Sequence, residues 1–324
     1  MSAKPKVIIT RKIPAACEAE ATQRFDAVIN RDDMPLTTAQ LQDALRSADG
    51  LLPTVTDKVT AEVLGVTPRR AKIVANFGVG FNNIDINAAK AAGLTVTNTP
   101  DVLTEDTADI AMTLLLMVAR RTGEGERHVR NREWTGWRPT HMLGARVSGK
   151  TLGLIGFGRI AKAVARRAHH GFGMRILFSD PYPPKPEEAK ALGAEQRATP
   201  EDVLREADFV SLHCPAMPET RHLINADRLK LMRKEAFLIN TARGDVVDEA
   251  ALVAALTAKT IAGAGLDVFE KEPSVSPELL AMENVVLLPH LGSATLETRV
   301  AMGMRAIENL GLFFAGQPVR DRVV

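Results

Sequence analysis

Cysteine is nearly absent from this sequence: Cys17 and Cys214 are the only two, far apart and without partners at metal-ligand spacing. No disulfide framework and no metal site follow from them. Nor is there a run of Lys or Arg long enough to track a phosphate backbone, and the net charge is only +2, which argues against nucleic acid and membrane partners. The opening stretch MSAKPKVIITRK lacks the long apolar core of a signal peptide. The most apolar segment, Ile110–Ala119, is about half the length that spans a bilayer. Low-complexity tracts and short internal repeats are missing as well. These absences predict a cytoplasmic globular protein.

What is present suits two domains. The chain has 324 residues, 45% hydrophobic and 25% charged. Short apolar strands are expected at Lys6–Thr10, Ala27–Asn30, Gly50–Pro53, Lys72–Asn76 and Thr95–Asn98. Thr38–Ser47 and Ile86–Ala92 have helical spacing, the second ending on Gly93 as a C-cap. Alternating strands and helices imply an α/β fold with parallel sheets covered on both faces. A long helix from Thr104 to about Arg121 is apolar nearly all round, which predicts burial between larger units. Residues 122–148 are polar, hold both tryptophans, and read as an excursion from the main body. A second βαβ array then runs to about Leu288. The final helix, Leu296–Phe314, spaces Met302, Ile307, Leu310 and Phe314 as core positions.

The most specific segment is GKTLGLIGFGRIAKAVARRAHHGFGMRILFSD. An apolar run, Thr151–Ile155, meets a glycine turn at Gly156 and Gly158, then an Ala/Arg-rich helix, then a second apolar run, Arg175–Ser179, closing on Asp180. This is one strand–helix–strand unit with a dinucleotide-binding fingerprint. Gly156 permits the tight turn, and Gly158 lets backbone approach a pyrophosphate at a helix N-terminus. Ala161 stands at the third glycine position and still allows close helix–strand packing. Asp180, 22 residues after Gly158, suits the ribose hydroxyls and repels a 2′-phosphate, which favours NAD over NADP. His169 and His170 close the helix before Gly171, where cations suit a helix C-terminus.

Three later segments supply reactive side chains. FLINTARGDVVDEAAL ends an apolar strand at Asn240 with Arg243 in the loop beyond; AGAGLDVFEKEP carries Asp267 and Glu272; NVVLLPHLGSAT carries His290. Ligands of open parallel sheets bind outside the carboxyl ends of the strands, so these loops are expected to converge. Arg243 suits a carboxylate in bidentate fashion and polarises an adjacent carbonyl. His290 suits proton delivery as hydride arrives, and Glu272 would orient its ring. That combination matches reduction of a 2-oxo acid. Leu52, Pro53 and Thr54 are expected to face the pocket from the first domain. His128, His141, His213 and His222 have no spacing that argues for metal.

Together with NFGVGFNNIDINAAKAAGLTVTNTPDVLTEDTADIAMTLLL and LHCPAMPETRHLI, these segments span about residues 75–296. They resemble the D-isomer-specific 2-hydroxyacid dehydrogenases, and within them the glyoxylate/hydroxypyruvate reductases. The resemblance implies two doubly wound domains. A flavodoxin-like substrate domain would comprise residues 1–100 and 290–324. A Rossmann NAD domain would comprise 101–289, with a dimerisation arm at about 120–148. It places catalysis on Arg243, Glu272 and His290, and substrate carboxylate on the amides of Val79 and Gly80. Leu52 would line the pocket, and Trp137 of WTGWRP would reach a neighbouring subunit's active site in a homodimer. For the cofactor it implies Thr107, then Gly156, Phe157, Gly158, Arg159 and Ile160 at the turn, and Asp180 beyond it. Cys214, Pro215 and Thr220 would line the cleft, Cys214 as a packing residue rather than a nucleophile. Thr241, Ala242, Asp267 and Gly292 would complete the cofactor contacts beside Arg243 and His290.

Rival readings fit less well. Formate dehydrogenases share the fold but resemble a pattern with Gln rather than Glu beside the histidine. Phosphoglycerate dehydrogenases often carry a C-terminal regulatory domain, and only 34 residues follow His290 here. D-lactate dehydrogenase activity stays as an alternative. An NAD-sensing corepressor would need a peptide cleft that nothing in this sequence marks.

Overall fold

The computed structural model describes residues 3–324; Met1 and Ser2, the start of the opening stretch, lie outside the described residues. In chain order the first elements are β1 (Lys6–Ile9), α1 (Ala15–Arg24), β2 (Asp26–Ile29), α2 (Thr38–Ser47), β3 (Gly50–Leu52), α3 (Ala61–Leu64), β4 (Ile73–Ala75), α4 (Ile86–Ala91) and β5 (Thr95–Thr97). Then come α5 (Thr104–Ala119), α6 (Thr122–Arg130), β6 (Thr151–Ile155), α7 (Arg159–Phe172), β7 (Arg175–Ser179), α8 (Pro186–Ala191), β8 (Ala194–Gln196), α9 (Pro200–Glu206) and β9 (Phe209–Leu212). The chain closes with α10 (Ala226–Leu231), β10 (Phe237–Asn240), α11 (Glu249–Thr257), β11 (Gly263–Leu266), α12 (Pro277–Ala281), β12 (Val285–Leu287) and α13 (Leu296–Phe314).

Two compact units result. One holds the chain up to Leu103 together with Ala294–Val324; the other is Thr104–Ser293. The first is a parallel sheet in the order β2-β1-β3-β4-β5. Its α13 buries Met302, Ile307 and Leu310, with Phe314 edge-on to Phe25 at 5.8 Å. The second is a parallel sheet in the order β12-β11-β10-β9-β6-β7-β8. Each sheet reverses direction once, the first between β1 and β3 and the second between β6 and β9. Both are therefore doubly wound α/β sheets, in which ligand crevices form at the reversal.

The central strands are buried on both faces, so Leu152, Leu154, Val210, Leu238 and Ile239 read as continuous apolar runs rather than alternating ones. α5 owes its apolar girth to the same cause: Ala108, Ala111, Leu114, Leu115 and Val118 are in the core of the second unit. α7 turns its alanines inward and its basic residues outward. Arg166 pairs with Glu105 at 2.8 Å and Arg167 with Asp109 at 2.7 Å, linking α7 to α5. α7 continues through Gly171 to Phe172 and stops at Gly173, whose φ of 60° is the left-handed cap. His169 therefore sits within the last turn and bonds the Met174 carbonyl at 3.1 Å. α6 falls inside the polar stretch read as an excursion from the main body, opened by Arg121 at φ 53°.

Candidate active site

The register of the second sheet brings the ends of five strands level. Ile155 pairs with Leu212, Leu212 with Asn240, Asn240 with Leu266, and Leu266 with Leu287. The loops that follow, beginning at Gly156, His213, Thr241, Asp267 and Leu288, therefore open on one edge of one sheet.

Gly156 sits at the reversal point with φ 85°, and a Cβ there would come 2.8 Å from the backbone of His213 and Cys214. Only glycine satisfies both constraints. A Cβ at Gly158, by contrast, would meet nothing within 4 Å, and no side chain caps the first turn of α7. The open space and uncapped helix end form a cradle that suits a pyrophosphate. Asp180 organises this turn: one carboxylate oxygen accepts from the Phe157 N–H at 2.6 Å and the other from the Tyr182 N–H at 2.7 Å. Phe157 itself is buried and stacks on Phe178 at 4.0 Å. The Thr241 hydroxyl is buried with no hydrogen-bond partner, a donor left for a ligand. These features fit a dinucleotide.

On the other side of the reversal, Thr220 bonds the Pro215 carbonyl at 2.6 Å and closes its own loop. Burial pushes the Cys214 thiol up to about 11, helped by the charges of Asp180 and Asp245, so it is no thiolate at neutral pH. Desolvation lowers His213 to about 4, and its ring bonds Ser211 at 2.9 Å.

The reactive groups are held by Asp267. Its backbone carbonyl accepts from the His290 N–H at 2.9 Å, and its carboxylate accepts from the N–H groups of Leu291 at 2.6 Å and Gly292 at 2.8 Å. Thr107 donates its hydroxyl to the Gly292 carbonyl at 2.9 Å. Burial raises the Asp267 carboxyl above its ordinary value, opposed by these amides and by His290. The result is a His290 fixed at φ 57°, with Nδ1 2.9 Å from Glu272 Oε2. The other Glu272 oxygen accepts from the Phe269 N–H at 3.1 Å. Burial works against the Glu272 charge, but His290, the Phe269 amide and Arg243 outweigh it and hold the carboxyl below its usual range.

Arg243 lies in the loop after β10, whose shape comes from Asn240. That side chain accepts from the Ala242 N–H at 3.0 Å and donates to the Arg243 carbonyl at 2.8 Å. Next to it, a Cβ on Gly244 would overlap the backbone of Phe269 and Glu270, so glycine lets the Arg243 loop lie directly against the Glu272 loop. Burial pulls the guanidinium below its ordinary value and Glu272 and Asp245 oppose it. Arg243, Glu272 and His290 thus form one electrostatic group within the second unit. Arg159 and Ile160 open α7.

The remaining expected residues lie elsewhere. Val79 and Gly80 follow β4 in the first unit, and Leu52 ends β3, fully buried, with its carbonyl accepting from the Thr10 N–H at 3.1 Å. Trp137 is in the arm after α6 and is 82% exposed.

A family model described as D-isomer specific 2-hydroxyacid dehydrogenase, NAD binding domain, matches residues 112–292. The glyoxylate reductase of Thermococcus onnurineus is 48% identical over 97% of this chain and 94% of its own. That of Pyrococcus furiosus is 46% identical with the same coverage. Among solved structures, an NADPH-dependent glyoxylate/hydroxypyruvate reductase from Sinorhizobium meliloti, in complex with NADP and malonate, superposes with a TM-score of 0.88. It is 36% identical, covering 99% of this chain and 97% of that one. The holo D-mandelate dehydrogenase of Rhodotorula graminis gives 0.87 at 29% identity, covering 99% and 98%. The protein is an NAD(P)-binding oxidoreductase. It belongs to the D-isomer specific 2-hydroxyacid dehydrogenase family.

Proposed function

We propose that the protein reduces a small 2-oxo acid, glyoxylate or hydroxypyruvate, to the 2-hydroxy acid, the D isomer where that product is chiral. The observation that carries this reading is the His290–Glu272 pair beside Arg243 on the sheet edge that also bears the dinucleotide cradle. The nearly full-length similarity to glyoxylate reductases supports the substrate class.

In this reading Arg243 binds the substrate carboxylate as a fork and polarises the oxo group. His290 delivers a proton from Nε2 to the carbonyl oxygen, since Nδ1 is taken by Glu272. Glu272 holds the ring and stabilises the imidazolium. A bound dihydronicotinamide supplies the hydride. The cofactor is held by Gly156, Phe157, Gly158, Arg159 and Ile160, by Thr107, Thr241, Ala242, Asp267 and Gly292, and by the Cys214–Thr220 loop. Asp180 receives the adenosine ribose, making NADH the preferred donor. The discontinuous first unit is the substrate domain, supplying the Val79 and Gly80 amides and Leu52.

α6 exposes Val129, and the arm after it Trp134, Trp137 and Leu143, each more than half, which supports a homodimer in which Trp137 reaches the neighbouring active site. Two free cysteines, and no helix long and apolar enough to cross a membrane among the described residues, support a cytoplasmic setting.

A panel of 2-oxo acids assayed with NADH and NADPH tests the reading. Glyoxylate or hydroxypyruvate should lead the panel, and kcat/KM with NADH should exceed that with NADPH by about tenfold, or roughly 1.4 kcal/mol. Equal efficiency with both cofactors would remove the role given to Asp180, and no turnover of any 2-oxo acid would overturn the function.

A further inference from the structure

We propose that Asn76 and Asn98 are positioning residues that aim the amides of Val79 and Gly80 outward, making a preset two-donor cradle for the substrate carboxylate. This rests on the functional reading above.

A peptide group is planar, with its C=O and N–H pointing in opposite directions. Fixing one carbonyl therefore aims the next residue's N–H. The Gly78 carbonyl accepts from the Thr99 N–H at 3.1 Å and from Asn76 Nδ2 at 3.4 Å. The Val79 carbonyl accepts from Asn98 Nδ2 at 2.8 Å, and the Gly80 carbonyl from Asn76 Nδ2 at 2.9 Å. Three successive carbonyls are thus drawn toward the body of the first unit, so the N–H groups of Val79 and Gly80 face the other way. Neither of these two amides donates to another group among the described residues. Backbone donors turned outward in series are a carboxylate site.

The two asparagines are themselves fixed. Asn76 is fully buried, and its Oδ1 accepts from Asn83 Nδ2 at 3.2 Å, which settles which end of the amide donates to the loop. Asn83 also donates to the Thr54 carbonyl at 3.1 Å and the Asp57 carbonyl at 3.3 Å. Asp57, 1% exposed, accepts from the Thr10 hydroxyl at 2.5 Å and the Thr54 N–H at 2.7 Å. One buried polar chain therefore ties the cradle to the end of β3, where Leu52 sits. Asparagine suits the task because it is a short side chain with a donor. Aspartate has the same shape but only acceptors, and would repel the carbonyl it faces.

The test compares wild type with Asn98→Asp and Asn98→Ala, using oxalate as the carboxylate probe in calorimetry on the NADH-bound enzyme, alongside kinetics. Oxalate affinity should fall about tenfold in Asn98→Asp, the size of one lost hydrogen bond to a charged group, with Asn98→Ala falling in the same direction. KM for the oxo acid should rise in step while kcat stays within about threefold, since uniform binding is what is lost. NADH affinity by fluorescence quenching should not move. If Asn98→Asp does not fold, Asn98→Ala decides alone. Unchanged oxalate affinity, a loss confined to kcat, an equal loss of NADH binding, or no oxalate binding by wild type would overturn the proposal. A wild type that binds oxalate as described but turns over no 2-oxo acid would overturn the functional reading and leave the cradle standing.

Discussion

Of the three histidine–glutamate pairs among the described residues of the second unit, two look alike by most measures. His290 lies 2.9 Å from Glu272 and His222 lies 3.0 Å from Glu270. Both rings are 33% exposed, and both residues have left-handed backbones, at φ 57° and 48°. They differ in which nitrogen is used. Glu272 takes Nδ1 of His290, leaving Nε2 at the tip of the ring; Glu270 takes Nε2 of His222, which leaves only the nitrogen beside its own backbone. The counter-charges differ too. Glu270 is 3.6 Å from Arg221, a cation more than half exposed, whereas Glu272 is offset by the desolvated Arg243. Proximity makes a pair, but the free ring atom decides whether it can pass a proton outward.

The sharpest way to break this comparison is to truncate both rings. His290→Ala should lower kcat for oxo-acid reduction by about 10²-fold or more, the usual share of general acid catalysis. His222→Ala should keep kcat within about threefold of wild type, as a residue outside the proton path. Equal losses in stopped-flow single turnovers would mean that both pairs act on the same step.

A smaller effect separates the two counter-cations. Arg243→Lys keeps the charge but cannot make two parallel N–H bonds, so kcat/KM should fall by roughly tenfold or more, with KM raised and kcat lowered together. NADH affinity should stay constant. Weakened NADH binding with an intact KM would instead make Arg243 part of the cofactor loop.

The smallest effect is on stability. Because Glu272 has a carboxyl lowered in the folded state, its charge stabilises the fold above the ordinary carboxylate range, and that contribution disappears as pH falls through the lowered value. Urea unfolding from pH 3 to 8 should therefore show Glu272→Gln less stable than wild type at neutral pH, the gap closing in acid. A gap that stays constant with pH would mean that the charge is not what Glu272 contributes.

The parts of this molecule with strong local signals were legible in the sequence. Thr151–Ile155 and Arg175–Ser179 are strands with the expected bounds, and Thr38–Ser47 and Leu296–Phe314 are helices with theirs. Each combines an apolar period with a stop. α1 gave no such signal, because the residues it buries, Cys17 and Ala21, are small and sit among polar neighbours. α6 was hidden because it buries no residue at all. Within the site, residue types announced the reactive groups, since Arg, Glu and His after apolar strands have few cheaper explanations. The scaffolding beneath them did not show. Nothing in the sequence marks the Leu291 and Gly292 amides that hold the Asp267 carboxylate, and Asn76 and Asn98 read as ordinary loop residues.

The bond from Thr107 to Gly292 has a consequence for how the chain is built. Thr107 lies three residues after the second unit begins, and Gly292 one residue before it ends. Seen from the first unit, everything between Leu103 and Ala294 is a single long insertion. Closing a flexible loop of such length would carry an entropic penalty that grows with the logarithm of its span. Here the insertion folds so that its own entrance and exit are clasped together, and the host sheet is spared that penalty. A module clasped in this way can be passed into a surface turn of another protein without prising its host apart, and its ends can be joined to give a circular permutant.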